Sequence, residues 1–243
     1  MTPKNSPLAA ALCKLESFHG PAPPAFPTDP FQIVLWENSA YLADDRKRRE
    51  AFDLLRREIG TRPEEILQAP PAQLRRVTAH GVLPQQFAEK LREAARLAVE
   101  TCGGDLRSVL RLETPAAKKI LRLFPGIGEP GAEKILLFAG RRPLLAPDSN
   151  ALRVLVRLGI SEEKPGYAAT YAAAREAAAG QLGQDAERHL AAHQLLRRHG
   201  QEICRRAAPE CERCPLAEGC AHARGTQPAP RTTTRRQTKR RTP

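Results

Sequence analysis

The sequence predicts an all-α fold, and three observations predict it. Apolar residues recur at three- and four-residue spacing along most of the chain, Gly and Pro punctuate the recurrences, and no Val/Ile-rich runs stand where a parallel sheet would need them. The pattern reads as a succession of helices, each with a capped start and most with a glycine stop.

Residues 1–28 are rich in Pro and Ala and read as a flexible leader. Asp29-Pro30 joins a cap to a Pro at the first helical position, and Phe31, Val34, Leu35 and Asn38 then share a face. Phe52, Leu55 and Ile59 form the next stripe, closed by Gly60, and Thr61 with Glu64 has capping-box spacing for a short helix. Pro84 opens a longer helix whose buried face is Phe87, Leu91, Ala94, Ala98 and Cys102, ending at Gly103. Cys102 is therefore a core residue, and Asp105 caps the segment that follows. Further on come a helix through Leu152, Leu155 and Val156, an Ala-rich helix from Tyr167 to Ala179, and another from Asp185 to His199.

Between these lies the stretch Phe124-Pro125-Gly126-Ile127-Gly128-Glu129-Pro130-Gly131, with helical periodicity before it (Ile120, Leu121) and after it (Ala132, Ile135, Leu136). The join is too short for anything but a hairpin. Gly126 and Gly128 open unusual backbone conformations and leave room for a large ligand, and the helix beginning near Pro130 points its positive end there, which suits a phosphate. The same residues match G-x-G-x-x-G, but that dinucleotide fingerprint needs a preceding strand. Thr114-Pro115 reads as a helix start instead, so a hairpin holding a nucleic-acid backbone is the better reading.

Charge points the same way. The 243 residues carry 39 Lys and Arg against 27 acidic residues, a net +12, which favours a polyanionic partner. Seven of those charges fall between Arg224 and Pro243, leaving +5 for the rest, so residues 223–243 read as a disordered basic tail that holds phosphates or simply solubilises the chain. No apolar run approaches a membrane span and no signal-peptide pattern opens the chain, so a cytoplasmic, nucleoid-associated location is expected.

Cys204, Cys211, Cys214 and Cys220 have the spacing C-x6-C-x2-C-x5-C in a segment with too little apolar content to fold unaided. Four converging thiolates suit zinc or a 4Fe–4S cluster. A single C-x2-C knuckle flanked by longer loops favours the larger cubane.

The hairpin F-P-G-I-G, the aspartate about twenty residues beyond it (Asp148), His199-Gly200 and the 6-2-5 cysteine spacing together resemble the endonuclease III branch of the helix–hairpin–helix DNA glycosylases, from about Phe31 to Cys220. The resemblance implies a two-lobed all-α enzyme with a C-terminal 4Fe–4S loop, acting as a monomer on double-stranded DNA that contains a damaged or mismatched base. Residues 44–140 would form a helical barrel ending in the hairpin, and residues 29–43 with 141–222 the cluster-bearing lobe. Pro125, Gly126, Ile127 and Gly128 would hold the DNA backbone, Lys134 would contact a phosphate, and Tyr41 would be a stacking wedge in the gap left by a flipped base. Lys118 and Lys119 would face DNA.

Asp148 also has a chemical argument of its own. Breaking an N-glycosidic bond builds positive charge on the sugar, which a fixed carboxylate stabilises, and the position before Ser149 makes the same residue a helix cap. In bifunctional relatives a lysine in the first turn of the second hairpin helix attacks the sugar. Here that position is Pro130, so a glycosylase without lyase activity is expected, with a catalytically silent DNA-binding protein as the alternative.

Overall fold

A computed structural model describes residues 6–225, all helix, turn and loop, with no strand among them. Eleven α-helices are assigned there: α1 (Pro7–His19), α2 (Pro30–Ser39), α3 (Asp45–Glu58), α4 (Pro63–Gln68), α5 (Pro71–Thr78), α6 (Pro84–Cys102), α7 (Thr114–Leu121), α8 (Glu129–Phe138), α9 (Ser149–Leu158), α10 (Tyr167–Leu182) and α11 (Ala186–Glu202). A 3₁₀ segment, Leu106–Arg111, precedes α7, and two short ones, Cys211–Arg213 and Ala217–Gly219, follow α11. No described helix is long and apolar enough to cross a membrane. The basic stretch from 226 onward lies outside the described residues.

Local chemistry accounts for most boundaries. Asp29, Asp44, Asp148 and Asp185 each cap a helix through a side-chain oxygen, and Gly103 and Gly159 end α6 and α9 in the left-handed conformation. The cap on α4 sits one residue later than expected and runs one way only. Arg62, not Thr61, is the cap, and its N–H is held by Glu65 at 2.9 Å.

Two hydrophobic cores make two lobes. The first gathers α2 to α8 around Phe52, Leu55, Leu91, Leu121, Ile135 and Leu136, all fully buried. The second gathers α1, α9, α10 and α11 around Leu8, Leu15, Leu155, Leu182 and Leu196. Burying one such side chain contributes roughly 1.5–3 kcal/mol.

Two expected boundaries are corrected here. Residues 1–28 are not a flexible leader where they are described: Ser6 caps α1, and Leu8, Ala11 and Leu15 lie on one face that packs on the second core. Conversely, α2 belongs to the first lobe, because Phe31, Ile33, Val34 and Leu35 pack among the residues of α3 to α8. The N-terminal contribution to the second lobe is thus α1, not residues 29–43.

A buried carboxylate also ties the lobes. Glu133 on α8 is fully buried and accepts from Lys118 Nζ (2.8 Å) on α7 and from Tyr171 and Arg175 on α10. Burial and the Glu133 charge push the Tyr171 hydroxyl above its ordinary range.

Candidate active-site cleft and nucleic-acid interface

The hairpin is pinned from below. Asn38, fully buried on α2, donates from Nδ2 to the Pro125 carbonyl at 2.9 Å and to Val34 O at 2.9 Å. Gly126 has φ +77°, and a Cβ there would meet Asn38 Oδ1 at 2.7 Å, so two constraints demand glycine. Gly128 is different: its φ is −88° and a Cβ would meet nothing nearer than 3.8 Å. Its missing side chain leaves open space in front of the α8 N-terminus, where the Gly126 and Gly128 N–H groups make no hydrogen bond among the described residues. The side chain of Ile127 is buried in the first core, so only its backbone belongs to this surface.

Between the lobes runs a cleft of about 840 Å³. Glu37, Tyr41, Asp45, Arg48, Phe87 and Gly126 line it from the first lobe, and Asp148, Asn150, Arg153, Arg197, Gln201 and Arg206 from the second and its loop. Asp148 reaches it from the start of α9. Its Oδ1 accepts the N–H groups of Asn150 (2.9 Å) and Ala151 (2.8 Å), while Oδ2 lies 3.3 Å from Asn150 Nδ2 and 3.1 Å from Arg197 Nε. Close helix crossing sets this position: a Cβ on Gly200 of α11 would come within 2.6 Å of the Asn150 carbonyl. That is the physical sense of the His199-Gly200 pair.

Arg197 bridges the lobes. Besides Asp148 it donates to Asp45 at the start of α3, which Gln201 Nε2 also reaches at 3.0 Å. Burial alone would raise the Asp45 carboxyl, but the Arg197 hydrogen bond and charge hold it below its ordinary value. On the facing wall the Glu37 carboxylate lies 2.7 Å from Lys134 Nζ and 4.0 Å from Arg48. Burial works against its ionisation and those two cations outweigh it, so its pKa is lowered. Behind the cleft, burial pushes His193 down to about 4, and its Nδ1–H donates to the Ala146 carbonyl at 2.7 Å.

Lys134, expected on a phosphate, is one-fifth exposed and turned toward α2, where Glu37 holds it. Lys118 is likewise drawn inward, to Glu129 and Glu133, whereas Lys119 stays exposed. In both cases a carboxylate from another element captures the cation, which spacing within one helix does not reveal. Tyr41 stands on the cleft rim with its ring stacked on Phe87, centroids 4.5 Å apart and planes at 14°. Beside it project Leu42, Val82 and Leu83, among the most exposed large apolar side chains described. Gly81 lets the two turns meet, since a Cβ would lie 2.4 Å from Tyr41 N, and Val82 N–H donates to Tyr41 O at 3.0 Å. This apolar lip was not anticipated. Two non-glycine residues in the left-handed region, Leu42 and Leu83, mark it in the backbone.

The cysteine loop hangs from α9 by two arginines. Arg153 donates to the carbonyls of Gly200 (2.7 Å) and Cys204 (2.8 Å), and Arg157 to those of Arg205 (2.8 Å) and Arg206 (3.0 Å). The four thiols are free, three half-buried and Cys220 buried. Burial raises the Cys214 thiol, and the charges of Cys204, Cys220 and Cys211 raise it further against a backbone N–H at Leu216. Among the described residues no three His, Cys, Asp or Glu side chains stand close enough to hold a single metal ion. In donor chemistry alone, four soft thiols in one loop would suit a cluster that offers each sulfur its own iron.

No family model matches the chain. The endonuclease III of Thermotoga maritima is 27% identical over 193 residues, spanning 79% of this chain and 83% of that protein. The thymine/uracil-DNA glycosylase of Methanothermobacter thermautotrophicus is 25% identical over 162 residues, 65% of this chain and 67% of that protein. Among solved structures, a non-covalent endonuclease III–DNA complex aligns with a TM-score of 0.73 at 17% identity, covering 93% of this chain and 98% of the other. A thermostable thymine-DNA glycosylase aligns at 0.71 and 19%, covering 90% and 95%.

The class is therefore that of two-lobed helix–hairpin–helix proteins with the cleft between the lobes. Within that class, the chain has the fold of the endonuclease III and thymine-DNA glycosylase structures and is similar in sequence to endonuclease III and a thymine/uracil-DNA glycosylase.

Proposed function

We propose that this protein is a base-excision DNA glycosylase of the endonuclease III type that hydrolyses the N-glycosidic bond without cleaving the strand. The observation that carries the reading is Asp148: one carboxylate oxygen is fixed by the α9 N-terminus and the other faces a cleft lined by both lobes.

The hairpin amides and the α8 N-terminus hold a backbone phosphate, and a nucleotide is turned out of the stack into the cleft. Tyr41 with its neighbours Leu42 and Val82 fills the gap that it leaves. As the glycosidic bond breaks, the leaving base takes the electron pair and positive charge grows on the sugar. The Asp148 carboxylate stabilises that charge, and a water attacks C1′ and loses a proton, which neutralises the departed base anion. No amine is offered at position 130, which is proline, and the nearest lysine along α8, Lys134, is held by Glu37. That supports hydrolysis over Schiff-base chemistry.

Cys204, Cys211, Cys214 and Cys220 would hold a 4Fe–4S cluster, which supplies the loop with the internal anchor its side chains lack. The protein acts as a monomer in this reading.

The test uses labelled duplexes carrying uracil, thymine glycol, hypoxanthine, or mismatched adenine or thymine, with breaks counted before and after hot alkali. Breaks only after alkali, reduced about 10²–10³-fold by Asp148→Asn, are expected. Breaks without alkali, trapped by borohydride, would overturn the hydrolytic reading. DNA binding with no product from any lesion would favour the silent binding protein.

A further inference from the structure

Asp148 has only one oxygen free of helix capping, and that oxygen is not free of charge. Its Oδ2 lies 3.1 Å from Arg197 Nε, so the place where a sugar cation must be stabilised already holds a guanidinium. A cation beside the nascent sugar cation opposes the reaction. Arg197 is also anchored from the other lobe by Asp45, and Gln201 completes the ring, with Oε1 3.3 Å from Arg197 Nη1 and Nε2 3.0 Å from Asp45 Oδ2. The arginine is one-quarter exposed and lines the cleft between the lobes. A planar guanidinium held by two carboxylates is preorganised for a third anion of matching shape, a phosphate diester.

Resting on the glycosylase reading above, we infer that Arg197 is a positioning residue which leaves Asp148 for the phosphate beside the flipped nucleotide. The carboxylate is thereby freed for the sugar only when DNA is correctly seated. In the unbound protein the arginine keeps Asp148 paired. Intact duplex, with no nucleotide in the cleft, does not bring a phosphate to Arg197.

The experiment measures binding by fluorescence anisotropy across a salt series. Two duplexes are compared, one intact and one carrying a tetrahydrofuran abasic analogue, which is extruded but cannot react. With the analogue, Arg197→Gln should lower the slope of log K against log salt by about one unit and weaken binding about tenfold, while intact duplex is bound as by the unaltered protein. Asp45→Asn, which keeps the arginine and loosens its anchor, should tighten binding of the analogue several-fold. A merely structural role predicts weaker binding by both variants, with no change in slope.

Discrimination between the duplexes by the unaltered protein, with an unchanged slope in Arg197→Gln, overturns the role of Arg197 alone. Equal binding of both duplexes by the unaltered protein overturns the glycosylase reading and this inference with it. Should Arg197→Gln fail to fold, Asp45→Asn decides: tighter binding supports the release of Arg197, and unchanged or weaker binding rejects it.

Discussion

The first lobe and the cysteine loop both border the cleft, yet they are held in opposite ways. Around Phe52 and Leu91 the first lobe has a continuous core in which Phe26, Trp36 and Phe52 meet edge to face. From Ile203 to Gly225 the loop has only short 3₁₀ turns and three buried residues, Ile203, Leu216 and Cys220. Arginines reaching its carbonyls do the work that side-chain packing does in the lobe. One region is specified by many weak contacts, the other by a few directional ones.

The contrast can be broken most severely from the packed side. Phe52→Ala should cost about 3–5 kcal/mol, read as a fall in the midpoint of urea unfolding followed by far-ultraviolet circular dichroism. Acid tests the seam between the lobes, where His193 is edge-on to Phe138 at 5.0 Å. Its imidazole is lowered from 6.5 to about 4, so between those values the unfolded chain binds the extra proton. Stability should therefore be full above about pH 6.5 and fall as pH drops toward 4, by an amount on the order of 3 kcal/mol. His193→Asn should flatten that dependence in unfolding measured at pH 4.5 and 7.

Arg157→Ala sharpens the comparison from the loop side. Removing its donors from the Arg205 and Arg206 carbonyls should cost about 1–3 kcal/mol locally. Hydrogen exchange should accelerate in residues 203–213 while α3 and α6 keep their protection. The smallest expected change in stability is at the hairpin. Gly128→Ala should alter the unfolding midpoint by no more than about 0.5 kcal/mol, because no atom lies in the way, but should weaken DNA binding by filling the space before α8. Gly126→Ala, strained in φ and set against Asn38, should cost about 1–3 kcal/mol.

What sequence reveals here follows the range of the interaction. Caps such as Asp29 and Asp148 act over two or three residues, and the stripe from Phe87 to Ala98 over about three turns, so both were legible. The likeness to endonuclease III was legible too, because the hairpin and cysteine spacings are local. Which core an amphipathic helix joins is not local, and that is why α1 was read as a leader and α2 assigned to the other lobe. Leu8, Ala11 and Leu15 were a visible signal in a stretch whose Pro and Ala content suggested otherwise. The Arg197–Asp45 contact joins residues 152 apart, and the Lys134–Glu37 contact residues 97 apart. No spacing rule reaches that far.

The docking of α1 has a consequence for how the chain is made. The Ser6 hydroxyl donates to the Gln181 carbonyl, 175 residues away, and Arg198 donates to the carbonyl of His19, 179 residues away. On the ribosome, α1 therefore emerges long before anything exists for Leu8 and Leu15 to cover, while α2 to α8 find one another as they are synthesised. The hairpin lobe can close during translation. The lobe that carries Asp148 and the cysteines must wait for its last helix, with an apolar helix held open in the meantime for chaperones or for error.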